Sequence, residues 1–195
     1  MSPEVKALRK NTTTLPDMNV KTLADKKNII KSKDNAFELE MDITPNITGI
    51  TGIELYNAKG ENVKIYFDTK ERKLVMDRTE SGLIEFGKLS VPHDIEKNYS
   101  DVHQGAGNTP FRVFNSVNYK NDFALGTWAP LSLCKGKTYH VDIFVDKCSV
   151  EIFVDGGRIA MTNLVFPTTP YTSIKFYNKG TSASFHNIKI SELSL

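Results

Sequence analysis

Val145-Asp146-Lys147-Cys148-Ser149-Val150-Glu151-Ile152-Phe153-Val154-Asp155-Gly156-Gly157, running on to Val165-Phe166-Pro167-Thr168, is the stretch whose reading decides the fold. Val150, Ile152 and Val154 alternate with Ser149, Glu151 and Phe153, the two-residue period of a strand with one buried face. Asp155-Gly156-Gly157 is turn chemistry that tolerates positive φ, so the chain is expected to fold back there as a hairpin. Glu151 lies at mid-strand between apolar neighbours. A carboxylate in that setting is either held by a partner or used in chemistry.

The same period recurs on both sides of this hairpin. Phe37, Leu39, Met41 and Ile43 alternate with Glu38, Glu40 and Asp42, whose carboxylates read as the solvent side of the strand. Val63, Ile65 and Phe67 repeat the pattern. Ile53 to Tyr56, Leu74 to Arg78, Leu83 to Phe86, Phe111 to Val117, Tyr139 to Val145, Ser173 to Tyr177 and Ala183 to Ile190 complete the expected strands. Gly, Asn, Asp and Pro punctuate them at the spacing of a sandwich or barrel. Beyond residue 35 no segment has helical periodicity. The expected fold is all-β: two packed antiparallel sheets. Residues 1–33 read differently. Pro3 to Arg9 suits a short helical turn, Asn11 to Asp17 is loop chemistry, and Lys21 to Lys33 is lysine-rich with little apolar period. They are expected to be a connector packing on something else, with the sandwich spanning 34–195.

Composition narrows the function. At 195 residues the chain is the size of one domain with a real core. A net charge of +2, from 25 basic and 23 acidic residues, provides no general field for nucleic acid or anionic lipid. No apolar run approaches the ~20 residues of a membrane helix. Neither partner is expected. The two cysteines, Cys134 and Cys148, flank the strand-like Tyr139 to Val145, which spans roughly 23 Å when extended. Bridged Cα atoms lie about 6 Å apart, so both are expected to be free thiols. The four histidines, His93, His103, His140 and His186, stand singly, without the spacing of a metal site, and no metal or cofactor is expected.

Several residues invite a functional reading. Trp128, the only tryptophan, sits in the loop-like Leu125 to Pro130, where its ring suits either a sugar platform or core packing. His103, inside the long irregular stretch His93 to Pro110, and Tyr119 are further candidates for carbohydrate contact. Glu151 and Asp146 are the acids best placed for glycoside chemistry, which needs two carboxylates facing one pocket. No second acidic motif joins Glu151, and no catalytic residue is assigned.

Asp146 to Phe153, followed by Gly157 and Val165-Phe166-Pro167-Thr168, resembles the C-terminal module of glycoside hydrolase family 32, the family of invertases, levanases and inulinases. That module typically carries Asp-x-Ser-Ser-Val-Glu-x-Phe, and Cys148 stands here for the first serine. Ile65 to Asp68, Leu74 to Thr79 and Ser81-Gly82 are similar to an earlier strand–turn–strand of the same module, ending in Asp77-Arg78. Pro3 to Arg9 is similar to the connector leaving the catalytic domain. The family's catalytic strings, Trp-Met-Asn-Asp-Pro-Asn-Gly, Arg-Asp-Pro and Glu-Cys, do not occur in this sequence.

The resemblance implies a lectin-like, concanavalin A-like jelly roll that supports a five-bladed catalytic propeller lying outside this chain. It further implies a secreted or periplasmic setting and a part in contact with fructan oligosaccharide or in dimerisation, or alternatively a free-standing fructan-binding module. It gives Asp77, Arg78, Asp146, Ser149, Glu151, Phe153 and Phe166 a structural role. Arg78 and Glu151, both charged in apolar strand centres, are expected to pair.

Overall fold

A computed structural model describes residues 7–84, 123–132 and 134–194. Alternation builds two antiparallel sheets from thirteen described strands. The first contains β1 (Arg9–Thr14), β2 (Met18–Val20), β4 (Phe37–Thr44), β9 (Tyr139–Val145), β10 (Ser149–Val154), β11 (Ile159–Leu164) and β13 (Ala183–Leu193). Its order is β1-β13-β4-β9-β10-β11, with β2 following β1 along the same side of β13. The second contains β3 (Leu23–Lys26), β5 (Ile50–Tyr56), β6 (Asn62–Asp68), β7 (Lys73–Glu80), β8 (Gly126–Pro130) and β12 (Ser173–Lys179), in the order β3-β12-β5-β6-β7-β8.

The core lies between the sheets. Leu39, Met41, Val141, Ile143, Val150 and Ile152 from one sheet and Leu55, Val63, Phe67, Leu74, Met76 and Phe176 from the other are at most 1% exposed. Phe67 packs on Tyr139 and Phe176 on Phe185, with ring centroids 5.4 and 5.1 Å apart. The expected hairpin is present: Val150 to Val154 pair with Asn163 to Ile159, and Asp155, Gly156 and Gly157 all take positive φ.

Residues 9–26, read from sequence as part of a connector, add strands to both sheets. β1 and β2 pair along β13 and β3 pairs with β12, so this segment covers one edge of each sheet. This pairing satisfies backbone groups of β13 and β12 and leaves short, polar strands as the outer edges. The break between β1 and β2 matches a bulge in β13, where Asn187 takes a φ of 53° and donates its backbone N–H to Asp17. The helical turn expected near Pro3 to Arg9 falls largely outside the described residues, and Arg9 itself opens β1. Two further readings change. Gly126 to Pro130, read as loop, is edge strand β8, paired with β7. Leu83 and Ile84 are not in a strand, while residues 85, 86 and the expected strand Phe111 to Val117 lie outside the described residues.

A polar cluster joins the ends of the sheets. The buried Asn46 donates to the buried Thr51 at 2.7 Å and to the buried Asn178, which in turn donates to the Thr181 carbonyl at 2.7 Å, so these interior amides are not left without partners. Gly82, at a φ of 127°, marks a tighter closure: a Cβ there would stand 2.2 Å from the Phe166 carbonyl oxygen. Gly82→Ala is expected to destabilise the fold by roughly 3 kcal/mol, combining backbone strain with the collision. Gly60→Ala, with a φ of 82° and nothing within 4 Å of its Cβ, is expected to cost about 1 kcal/mol. Urea unfolding of the two variants measures the difference, and equal costs would show that the approach to Phe166 is slack.

Candidate functional site

The two stretches that carry the sequence signal meet at one corner. β7 runs out through Asp77 and Arg78, and β11 runs out into Leu164, Val165 and Phe166. Arg78 Nη1 donates to the Leu164 carbonyl at 3.0 Å, and Leu83 N–H donates to the Phe166 carbonyl at 2.8 Å. The Tyr171 hydroxyl donates to the Ser81 carbonyl at 2.9 Å, and burial pushes its pKa well above the usual phenol range. The Arg78 guanidinium lies over the Phe123 ring at 4.2 Å, and Phe123 stacks on Phe166 at 5.6 Å. Asp77 accepts from the Thr79 hydroxyl at 2.7 Å and backbone N–H at 3.0 Å, shaping the exit from β7. This corner ties one sheet to the other.

The expected Arg78–Glu151 ion pair is absent. The two residues belong to different sheets, and Arg78 spends its guanidinium on a carbonyl and a ring. Strand-centre charge could not reveal this, because both faces of a sandwich strand alternate alike and sequence does not say which sheet a strand joins.

Glu151 sits on the outer face of the seven-stranded sheet, level with Phe144 on β9 and Thr162 on β11. Among the described residues its half-buried carboxylate accepts no hydrogen bond and makes no ion pair. With Phe153, Ser149 and Asp146 it lines a groove of about 630 Å³. Asp146 also shapes the β9–β10 turn: its carboxylate accepts from the Lys147 N–H, and its carbonyl from Asn35 at 3.1 Å.

On the other side of Phe144 lies Glu38, read from sequence as solvent-facing but only 1% exposed. Arg9 covers it with a two-pronged bond, Nε to Oε2 at 2.5 Å and Nη2 to Oε1 at 2.6 Å. That bond, opposed by burial but reinforced by the charges of Glu38, Glu40 and Asp142, raises the Arg9 pKa. Glu38, Glu40 and Asp142 bring carboxylate oxygens within 4.8 Å of one another, the one such trio among the described residues with metal-ligand spacing. Arg9 Nη2 stands 3.5 Å from Glu40, so an arginine already balances two of the three acids. No local cue in the sequence marks the Arg9–Glu38 pair, whose members are 29 positions apart.

Further along the face, His140 Nδ1 meets Asp42 at 2.8 Å, and His186 Nδ1 meets Asp17 at 3.0 Å. Burial lowers the His140 pKa, but the Asp42 hydrogen bond and the Asp142, Asp42 and Glu40 charges outweigh it, so the net shift is upward. Among the described residues no histidine hydrogen-bonds a serine, threonine or cysteine, so no nucleophile–base pair is assembled. Cys134 and Cys148 are free and exposed.

Trp128, on β8, is 57% exposed rather than packed in the core, with Lys73 Nζ 4.6 Å from its ring. His103 and Tyr119 lie outside the described residues.

Two outcomes check this face. Arg9→Ala leaves a buried carboxylate uncompensated and is expected to cost about 3 kcal/mol in urea unfolding. Arg9→Lys is expected to recover only part, since a point charge cannot reproduce the fork. His140 has a folded pKa above its unfolded value, so its contribution is complete below the unfolded pKa and fades as pH rises through the folded one. His140→Gln is therefore expected to lower the urea midpoint more at about pH 5.5 than at about pH 8.5, and the reverse ordering would contradict the assignment.

Comparison with known proteins places this architecture. The levanbiose-producing levanase of Bacillus subtilis (strain 168) is 35% identical over 95 residues, 49% of this chain and 17% of that protein. The levanase of Bacillus sp. (strain L7) is 23% identical over 194 residues, 97% of this chain and again 17% of its own length. The chain thus spans only a small part of the relatives it matches. Among solved structures, fructosyltransferase from A. japonicus superposes with a TM-score of 0.69 at 17% identity, covering 97% of this chain and 27% of that one. Sucrose-6-phosphate hydrolase from Lactobacillus gasseri gives 0.57 at 20% identity, covering 98% and 30%. At such identities the superpositions speak for the fold. Residues 4–192 match the sequence family described as "Glycosyl hydrolases family 32 C terminal", and the chain belongs to that family.

Proposed function

We propose that this chain is the C-terminal accessory sandwich of a fructan-degrading glycoside hydrolase, working as a scaffold for an N-terminal five-bladed catalytic propeller and without hydrolytic activity alone. The observation that carries this reading is the family match over residues 4–192, together with the small fraction of each levanase that the chain represents. The site geometry is consistent with it. The motif residues Asp77, Arg78 and Phe166 are engaged in closing a corner of the fold. The parent enzyme is proposed to act outside the cytoplasm, where polymeric fructans are met.

A free-standing fructan-binding module is the second reading, and the exposed Trp128 ring favours it. An aromatic ring at the surface can stack on a sugar face, although Lys73 stands over this one at 4.6 Å. The readings differ in what the catalytic domain needs.

Two measurements test the proposal. The isolated chain, assayed for fructose release from sucrose, levan and inulin, is expected to give none, and release would overturn it. Deleting the matching C-terminal region from a levanase is expected to lower the melting temperature of the remaining catalytic part by several degrees, about what a loss of 1 kcal/mol or more produces. An unchanged melting temperature would favour the free-standing module.

A further inference from the structure

The groove beside Glu151 has features that scaffolding does not require. It runs over β9 and β10 on the outer face of the seven-stranded sheet, with Leu8 and Leu193 at one end and the Gly156-Gly157 turn at the other. Phe144 and Phe153 lie in its floor and meet edge to face, with centroids 5.9 Å apart and an interplanar angle of 76°. Glu151 pairs in register with Phe144, and Asp142 with Phe153, so each ring is flanked by a carboxylate. Asp142 meets His140 Nε2 at 3.4 Å, and Glu151 has no described partner.

We propose that this groove binds a neutral oligosaccharide, with Phe144 and Phe153 meeting the C–H faces of the sugar rings and Glu151 and Asp142 accepting hydrogen bonds from hydroxyls. Its volume of about 630 Å³ lies within the ~300–1,000 Å³ of small-ligand sites. The half-buried Glu151 carboxylate opens to the groove with its acceptors facing solvent, where sugar hydroxyls can replace water as donors.

The turn keeps one end open. Asp155, Gly156 and Gly157 take φ values of 49°, 69° and 93°; a Cβ at Gly156 would meet nothing within 4 Å, and one at Gly157 would touch the Phe153 ring at 4.0 Å. Glycine at both positions therefore leaves the ring uncovered where a longer chain would leave the groove. The choice of fructosyl units as the sugar rests on the accessory-module reading above; the stacking surface and acceptors do not.

Calorimetric titration of the full chain with short levan and inulin oligosaccharides tests this, with cello-oligosaccharides and spermidine as comparison ligands. Heat is expected with the fructan oligosaccharides. Glu151→Gln, which keeps the side-chain volume, is expected to weaken binding about tenfold. Phe153→Leu, which keeps an apolar side chain but removes the ring, is expected to weaken it by a similar factor, whereas Trp128→Ala on the other sheet leaves it unchanged. Silence with every sugar, preference for spermidine, or loss of binding in Trp128→Ala with none in Glu151→Gln and Phe153→Leu would each overturn the groove. Equal binding of cello-oligosaccharides would overturn the fructosyl assignment. Fructose release by the chain would sink the accessory reading without touching these titrations, so the two can fail separately.

Discussion

The outer face of the seven-stranded sheet depends on one ion pair, between Arg9 and Glu38. β4 needs Phe37, Leu39, Met41 and Ile43 in the core, and the period of two then forces Glu38, Glu40 and Asp42 to the opposite face. β4 is an interior strand, between β13 and β9, so its outer side chains are crowded and Glu38 is left 1% exposed. A lone carboxylate that deep would be neutralised or would open the sheet. Arg9 prevents both by supplying two charge-assisted bonds from an edge strand. Its backbone pairs with β13 and its side chain reaches to β4, so one residue both covers an edge and neutralises the face.

This coupling explains why a polar N-terminal stretch joins a β-sandwich at all. Residues 9–26 bury little apolar surface, with Val20 the one fully buried apolar side chain among them. Their attachment is chiefly hydrogen bonding: main-chain pairing to β13 and β12, Asp17 to Asn187, and Tyr56 to Asp25 at 2.6 Å. Each such bond is worth only ~1 kcal/mol net, so many are needed. The far side of the sandwich is closed differently. There Arg78, Phe123 and Phe166 form a cation–aromatic stack, and bonds from the Arg78 guanidinium and the Leu83 backbone grip the exit of β11. One side is held by paired edges and the other by a corner.

Most of the fold was legible because it rests on local alternation. Phe37 to Ile43, Val63 to Phe67 and Val150 to Val154 announce their strands, and Asp155-Gly156-Gly157 announces its turn. What was not legible is non-local. Arg9 finds Glu38 across 29 positions through a strand pairing that polar Asn11 to Thr14 does not advertise. Gly126 to Pro130 becomes a strand because β7 offers it an edge, despite its glycine and proline. Arg78 and Glu151 looked alike as charged residues at strand centres, yet β7 and β10 belong to different sheets, and alternation carries no sheet label. The recognised motifs were better guides to position than to partner. Asp77-Arg78 and Val165-Phe166 do meet, through carbonyls and a ring rather than through an ion pair.

The contrast between Glu38 and Glu151 bears on what this face does. Both flank Phe144, one on β4 and one on β10, and both point outward by the same alternation. Arg9 reaches the first from the β13 side of the sheet, and β9 stands between it and the second. On the Glu151 side the neighbouring strand offers Ala160 and Thr162, which are too short to cover a carboxylate and carry no positive charge. The result is a face that is neutralised and filled over β4 but recessed and electron-rich over β9 and β10. A sheet selected only to be covered by another protein surface would gain from filling that recess with larger side chains, since apolar contact area is what such packing rewards. Keeping small residues, a glycine turn and an unpaired acid beside two phenyl rings preserves a cavity instead. That is the arrangement expected where a polar, flat-faced ligand is to be received.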